Sequence, residues 1–483
     1  MKKIVFALVG ICFWVSVGVG QVNFRYVFGG SQFDAGYAAI QAIDSTYMVA
    51  GTTSSFGSGV SDMYFLKIDT LGGNVWQKTY GGNNIEKALS VKQTLDSGFV
   101  LAGYTNSFGN GGYDFYVVKT NSTGDTLWTK TYGGSNWEFA NSIEQTADKG
   151  FIIAGGTYSF GNGDEDIYII KTDSMGVIEW SNFYGGTGEE EAKSIKQTID
   201  GGYIVAGYTK SFGNGLSDAY YLKLDVNGDT VWTKTIGFAG NDYANSVVVT
   251  DNGDYVFAGS VHNTNSNIDL AFIFRTDQNG DTIWTKQFGN PNSTIANTIS
   301  KTTNGCFVWS GKINLGGETE IYFYKIDQYG YYVFAKTYGT TSGYDEAFFN
   351  FQCFDNGYIV GGLTDGFGFG DNDVLVIKTD SLGSSATGVI AINVNEIVNT
   401  ETQFILYPNP SNHQITVEEG NSDKSKIKKI ECINNQGIII NIPFIKNATN
   451  SFQLNTNELN AGIYFIKIHT DNKIICKKMI VQH

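Results

Sequence analysis

The sequence predicts an all-β chain: a seven-bladed β-propeller of four-stranded blades, then a small C-terminal β-sandwich. Three observations point there. One phrase recurs, as "LDSGFVLAGYTNSFGNG" at 95–111, "ADKGFIIAGGTYSFGNG" at 147–163 and "IDGGYIVAGYTKSFGNG" at 199–215. The aromatic-Gly step opening each copy falls at Phe28, Tyr80, Tyr132, Tyr184, Ile236 (degenerate), Phe288 and Tyr338, spaced by 52 residues five times and then by 50. That period belongs to propeller-type repeats. Finally, 60 Gly, 4 Pro and 14% aromatics in 483 residues suit short strands joined by glycine turns and exclude disorder.

Residues 1–20 read as a secretory signal peptide. Lys2 and Lys3 precede an apolar run from Ile4 to Val17, and Gly18 and Gly20 stand at the −3 and −1 positions of a cut before Gln21. The run is shorter than the ~20 residues a membrane span needs. No later segment reads as a span. Cys12 leaves with the leader, and Ile11 before it argues against a lipoprotein cut. Cys306, Cys353, Cys432 and Cys476 remain, without metal-ligand spacing. Export permits disulfides, and Cys432 with Cys476 is the preferred pair.

The propeller is expected over 21–383, with four strands per unit. In the fourth copy, strand A is "AKSIKQT" (192–198) and strand B "YIVAGYT" (203–209), apolar throughout as a strand buried on both faces should be. Strand C is "AYYLKLD" (219–225), which alternates, and strand D is "VWTKT" (231–235). Asn-Gly and Asp-Gly steps between them are hairpin signals, because tight turns need positive φ. Four antiparallel strands make one blade. Trp76, Trp128, Trp180, Trp232 and Trp284 sit four residues before a new copy, as Phe334 does. Use in nearly every blade favours packing between blades over sugar binding.

The seventh unit stops after "VLVIKTDSLG" (374–383) without a strand D. "VNFRYVFGG" (22–30) supplies it, since Phe24 stands four residues before Phe28. The N-terminal strand is therefore expected to complete the last blade and remove its open edge. "GVIAINV" (388–394) competes for that slot from the expected linker, 384–402.

Propellers carry the D-to-A and B-to-C loops on one face. Asp34, Glu86, Glu138, Glu190, Asp242 and Asp345 recur in the first, with Thr294 the exception; Asp62, Asp114, Asp166, Asp218 and Asp373 recur in the second. Of the chain's 32 Lys+Arg, nine lie in the tail and two in the leader; of its 47 Asp+Glu, six lie in the tail. The repeats thus hold 21 bases against 41 acids. A densely acidic face is expected, and nucleic-acid binding is excluded. Each acid either accepts hydrogen bonds from its own loop or joins a ring for calcium or a cationic ligand. No other cofactor and no metal site is indicated.

A site needs asymmetry. The residue before the acid varies: Phe33, Ile85, Trp137, Glu189, Asn241, Ser293, Tyr344. Trp137, Tyr344 and Phe33 are the ligand-binding candidates, with the six acids and His262, the only propeller histidine. His262 lies where copies five and six replace "SFGNG" by "VHNTNSNID" (261–269) and "KINLGGETE" (312–320). No nucleophile elbow, zinc-binding helix or phosphate loop is present. A carboxylate pair for polysaccharide cleavage remains the alternative to an extracellular glycan- or protein-binding module, and a structural surface protein is the third reading.

From about residue 403 glycine becomes scarce and lysine rises. The order Tyr407-Pro408-Asn409-Pro410-Ser411, Gly437, Leu459, Gly462, Tyr464 and the terminal Lys477-Lys478 with Ile480-Val481 resembles the C-terminal sorting domain of the type IX (Por) secretion system of Bacteroidetes. His413 stands where such domains usually have glycine. The resemblance implies export across both membranes and recognition of the tail by that machinery. It further implies tail removal, leaving the cargo released or attached to surface lipopolysaccharide. Asp-Ser/Thr-aliphatic triplets such as 125–127 and 173–175 also resemble the O-glycan acceptors of such exports; turn chemistry explains them equally well.

Overall fold

The computed structural model describes residues 22–386 except 290 and 340–342, the backbone of 390–393, and most of the strands and some of the turns between 404 and 481. The leader lies outside the described residues. The chain divides into one unit up to residue 395 and another from 396.

The first unit begins with β1 (Phe24–Gly29). Blade one is β2 (Asp34–Gln41), β3 (Tyr47–Thr53), β4 (Asp62–Ile68) and β5 (Asn74–Tyr80). Blade two is β6 (Glu86–Gln93), β7 (Phe99–Thr105), β8 (Asp114–Thr120) and β9 (Thr126–Tyr132). Blade three is β10 (Glu138–Gln145), β11 (Phe151–Thr157), β12 (Asp166–Thr172) and β13 (Ile178–Tyr184). Blade four is β14 (Glu190–Gln197), β15 (Tyr203–Thr209), β16 (Asp218–Leu224) and β17 (Thr230–Ile236). Blade five is β18 (Tyr243–Val249), β19 (Tyr255–Asn263), β20 (Ile268–Thr276) and β21 (Thr282–Phe288). Blade six is β22 (Thr294–Lys301), β23 (Phe307–Leu315), β24 (Glu318–Ile326) and β25 (Tyr332–Tyr338). Blade seven is β26 (Asp345–Gln352), β27 (Tyr358–Thr364) and β28 (Asp373–Thr379). Each of the first six is one antiparallel sheet in chain order. Each A strand contacts the A strands of the adjoining blades, β2 touching both β6 and β26, so the sheets close into a seven-membered ring.

Closure uses the N-terminal strand. β1 pairs antiparallel with β28, from Phe24 opposite Lys378 to Phe28 opposite Val374. Each strand-D aromatic likewise faces a base of strand C: Trp76 and Lys67, Trp128 and Lys119, Trp284 and Arg275. Phe24 thus holds the tryptophan's register. The competing segment displaces nothing: β29 (Ile390–Asn393) lies parallel to the outer side of β1, giving the seventh sheet five strands. Residues expected in the linker are therefore propeller.

The tryptophans bridge blades as expected. Trp128 stands edge-on to Phe151 of the next blade, centroids 5.9 Å apart, and Trp180 to Tyr203 at 6.0 Å. Strand B is buried almost throughout. A bulge in strand A pushes a backbone carbonyl toward strand B, so Gly103 is needed there: a Cβ would stand 1.8 Å from the Lys87 oxygen. Where "SFGNG" is lost, β19 and β20 lengthen to nine residues each and meet in a plain hairpin, as do β23 and β24.

The second unit contains β30 (Phe404–Tyr407), β31 (Gln414–Glu419), β32 (Ile427–Asn434), β33 (Ile439–Ile440), β34 (Phe444–Lys446), β35 (Phe452–Asn455), β36 (Gly462–Thr470) and β37 (Ile474–Val481). Two four-stranded sheets, β30-β31-β35-β34 and β33-β32-β36-β37, share a core that includes Ile415, Leu454, Ile466 and Met479. The expected Cys432–Cys476 disulfide is not formed. Cys432 is free, opposite Ile466, and Cys476 is opposite Lys467 on the other side of β36. Two strand spacings, roughly 9–10 Å, exceed the ~7 Å Cα limit for a bridge. Cys306 and Cys353 are free as well.

Candidate functional site

The recurring acids do not form an exposed ring. Asp34, Glu86, Glu138, Glu190, Asp242 and Asp345 are each 0% exposed. Gly30 N–H donates to Asp34 at 2.7 Å, Gly82 N–H to Glu86 at 2.8 Å, and Gly134 and Gly186 N–H to Glu138 and Glu190. The other oxygen of Glu86 accepts from the Thr105 hydroxyl at 2.6 Å. Phe238 and His262 N–H donate to Asp242. The B-to-C aspartates do the same, Asp62 accepting from Ser58 and Gly59 N–H. Such loops have backbone donors without strand partners, and a buried carboxylate satisfies several at once. The acids of adjacent blades meet at the aromatic-Gly step: a methyl on Gly81 would strike Asp62 Oδ1 at 2.1 Å and Glu86 Oε2 at 2.2 Å. Burial first, and the neighbouring Glu86 as well, raises the Asp62 carboxyl above the usual range. Among the described residues no three His, Cys, Asp or Glu side chains converge as metal ligands.

The asymmetric positions separate. Trp137 is 52% exposed. Its ring lies edge-on between Tyr113, 6.2 Å away, and Tyr158, 6.1 Å away. Tyr104 and Phe139 pack behind Tyr113. Gly112 makes room, since a Cβ there would stand 2.2 Å from the indole. Tyr344 is engaged instead: its hydroxyl donates to Glu346 and accepts from Lys312 at 2.6 Å, and that ammonium lies 5.2 Å from its ring centre. Phe33 is half-buried. His262 Nδ1 lies 2.8 Å from Asp269 Oδ1, its cross-strand partner in the lengthened hairpin.

Sequence reasoning missed two features. Glu165, 4% exposed, fills the space left by Gly156, whose Cβ would fall 2.1 Å from Glu165 Oε1. The Tyr158 hydroxyl donates to Glu165 at 3.0 Å. Burial, followed by Glu191, pushes the Glu165 carboxyl up to about 8. Glu191 is held by Lys193 at 2.6 Å and the Asn141 amide at 2.7 Å. The position just before the strand-C aspartate holds Ser61, Tyr113 and Ser217 in blades one, two and four, so a carboxyl there marks blade three. The second feature is a central cavity of ≈ 810 Å³ between the seven A strands.

Of the tail residues, Tyr407 pairs through its backbone with Thr416, Gly462 opens β36 opposite Val481, and Lys477 and Lys478 lie opposite Ile466 and Phe465. Tyr464 is buried and its hydroxyl donates to the Asn460 carbonyl at 3.0 Å. Pro408, Asn409, Pro410 and Gly437 lie outside the described residues.

Residues 405–482 match the secretion system C-terminal sorting domain family, Por_Secre_tail. The chain therefore carries a type IX sorting domain of the Bacteroidetes kind, the mark of a protein that is secreted or attached at the cell surface. No helix among the described residues is long and apolar enough to cross a membrane. The regulatory protein FlaEY of Caulobacter vibrioides is 25% identical over 252 residues, covering 45% of this chain and 25% of that protein. The chain thus spans a quarter of the length of the curated relative it matches. Among solved structures, Sqt1 of Chaetomium thermophilum is similar over 74% of this chain and 98% of that one, with 11% identity and a TM-score of 0.44. An α-L-arabinofuranosidase of Fusarium graminearum in complex with arabinobiose is similar over 63% and 97%, with 11% identity and a TM-score of 0.44.

Proposed function

We propose that the propeller works outside the cell as a binding module without turnover, docking a glycan or a protein loop on the aromatic patch of blades two and three. One observation carries this: Trp137 is half exposed, yet wedged between Tyr113 and Tyr158 over a glycine. A large side chain held rigid before the partner arrives loses little entropy on binding, and its face suits a sugar ring or an apolar loop residue. The equivalent residue is Ile85 or Glu189 in the flanking blades, so the patch is local.

A second reading, a polysaccharide hydrolase or lyase, rests on Glu165. A carboxyl raised to about 8 keeps its proton at neutral pH, and Glu191 with its lysine partner supplies a second carboxylate nearby. Glycoside cleavage needs one proton donor and one carboxylate. Glycan-array binding and turnover on the purified propeller, with and without calcium, separate the readings. Under the first, Trp137→Ala weakens binding about ten-fold or more with folding intact, Glu165→Gln leaves binding unchanged, and no product forms. Product formation abolished by Glu165→Gln establishes the second. Binding that survives Trp137→Ala rejects the patch.

A further inference from the structure

The central cavity departs from sevenfold symmetry in one consistent direction. Two positions of each A strand line it, except in blade three, where Asn141 lines it and Glu144, three residues on, lies behind the lining between two of its lysines. The upper ring holds Tyr37, Leu89, Asn141, Lys193, Asn245, Asn297 and Phe348, in blade order one to seven; the lower holds Ile40, Lys92, Lys196, Val248, Ser300 and Phe351, with Glu144 at the equivalent register of blade three. In both, blades seven and one are apolar. In both, blades three, four and six are polar or charged, and the charges lie in blades two to four. Tyr37 and Phe348 touch across the seam between blades seven and one, centroids 5.2 Å apart.

On the wall made by blades two to four, Lys92 and Lys196 share a single carboxylate. Glu144 Oε1 lies 3.0 Å from Lys92 Nζ and is also paired with Lys196. The remaining lysines of the cavity are matched one to one, Lys193 with Glu191 and Lys301 with Asp251. The lower ring therefore carries one net positive charge, inside a protein whose total is −15. Burial, and then Lys92, brings the Lys196 ammonium down to about 8 although Glu144 holds it up. The asparagines of the upper ring are committed through their amide nitrogens, Asn141 and Asn297 each donating to a backbone carbonyl of the next blade.

We infer that the central cavity is a second site, independent of the loop-face patch, for a small organic monocarboxylate with an aromatic or branched apolar body. Its carboxylate takes the place of the missing counter-charge between Lys92 and Lys196. Its body lies against Tyr37, Ile40, Phe348 and Phe351. Two partly buried ammoniums that share one carboxylate inside a concave site attract an anion more strongly than a single lysine on the open surface does. The apolar wall contributes in proportion to the area it covers. A neutral amide of the same shape gains only the second contribution.

Calorimetric titration of the full mature chain with phenylacetate, phenylacetamide and benzylamine tests this. Phenylacetate is expected to bind saturably, and the other two about ten-fold or more weakly. Lys196→Met weakens phenylacetate about ten-fold or more, and Lys196→Arg restores it. Glu144→Gln tightens phenylacetate, because both ammoniums are then without a carboxylate. A general loss of folding cannot produce that opposite sign. Equal affinity for acid and amide, Lys196→Met without effect, or weakening by Glu144→Gln would each overturn the site. So would the absence of saturable binding by aryl and branched-alkyl monocarboxylates up to about 10 mM.

Discussion

Among single residues, Asp373 shows what the buried acids cost. It sits between blades seven and one, accepts the Phe369 N–H at 2.8 Å, and faces Asp34 across Gly29. Burial, opposed by the Phe369 N–H and aided by Asp34, raises its carboxyl to about 6. From roughly pH 4 to pH 6 the folded chain keeps a proton that the unfolded chain has released, so this group's contribution to stability falls as pH rises through that window. Asp373→Asn removes the titration. Melting of the two proteins should show the variant gaining, relative to the parent, on the order of 1–2 kcal/mol between about pH 4.5 and 7.5. An equal offset at both pH values would contradict the assignment. Recurrence made these acids visible in the sequence, but not their burial. A loop aspartate reads as surface until the neighbouring blade is known to cover it. Glu165 was legible as a departure from the Ser/Tyr pattern before strand C, and its pocket was not, because it is made by the absence of a side chain at Gly156.

At the scale of elements, blades are stitched by side chains repeating at fixed register. The glutamine ending strand A accepts a backbone N–H from the preceding blade's turn: Gln93 from Ile43 at 2.9 Å, Gln145 from Leu95 at 2.9 Å and, across the seam, Gln41 from Phe354 at 2.8 Å. Lys301, which breaks this pattern, pairs with Asp251 of the preceding blade. The lysine of strand C is buried and reaches the aspartate of its own blade's A–B turn, as Lys119 does Asp96 at 2.9 Å. The bulge in strand A makes the strand-B glycine obligatory. Gly103→Ala should cost about 2 kcal/mol or more, read as a lower urea midpoint at unchanged slope. Strand boundaries were legible within two residues, since β15 is the "YIVAGYT" run itself and β14, β16 and β17 differ only at their ends. The fifth strand of blade seven was not, because a seven-residue apolar run carries no mark of the edge it joins.

For the molecule as a whole, the tandem period and the displaced aromatic at Phe24 foretold a ring closed by its own N-terminus. The strand order of the tail decides against a disulfide that cysteine count alone allowed. The two-sided cavity could be read only after the copies were stacked and their exceptions compared at one height. β1 buries Phe24 and Phe28 against blades seven and one, and Val27 against blades six and seven. At about 1.5–3 kcal/mol per side chain, removing residues 21–29 should cost about 5 kcal/mol or more. Hydrogen exchange should then rise first in β28 and β2; protection there equal to the parent's would argue against closure by β1.

The seam also orders events in time. Arg25 donates to the Ser385 hydroxyl at 2.7 Å across 360 positions of chain, with β1 clasped between β28 and β29. The wheel's first strand is thus among the last to find its place, and must wait until some 360 residues have followed it. The latch cannot close before β28 and β29 exist, so assembly of the wheel is deferred until that whole length of polypeptide has arrived in one compartment.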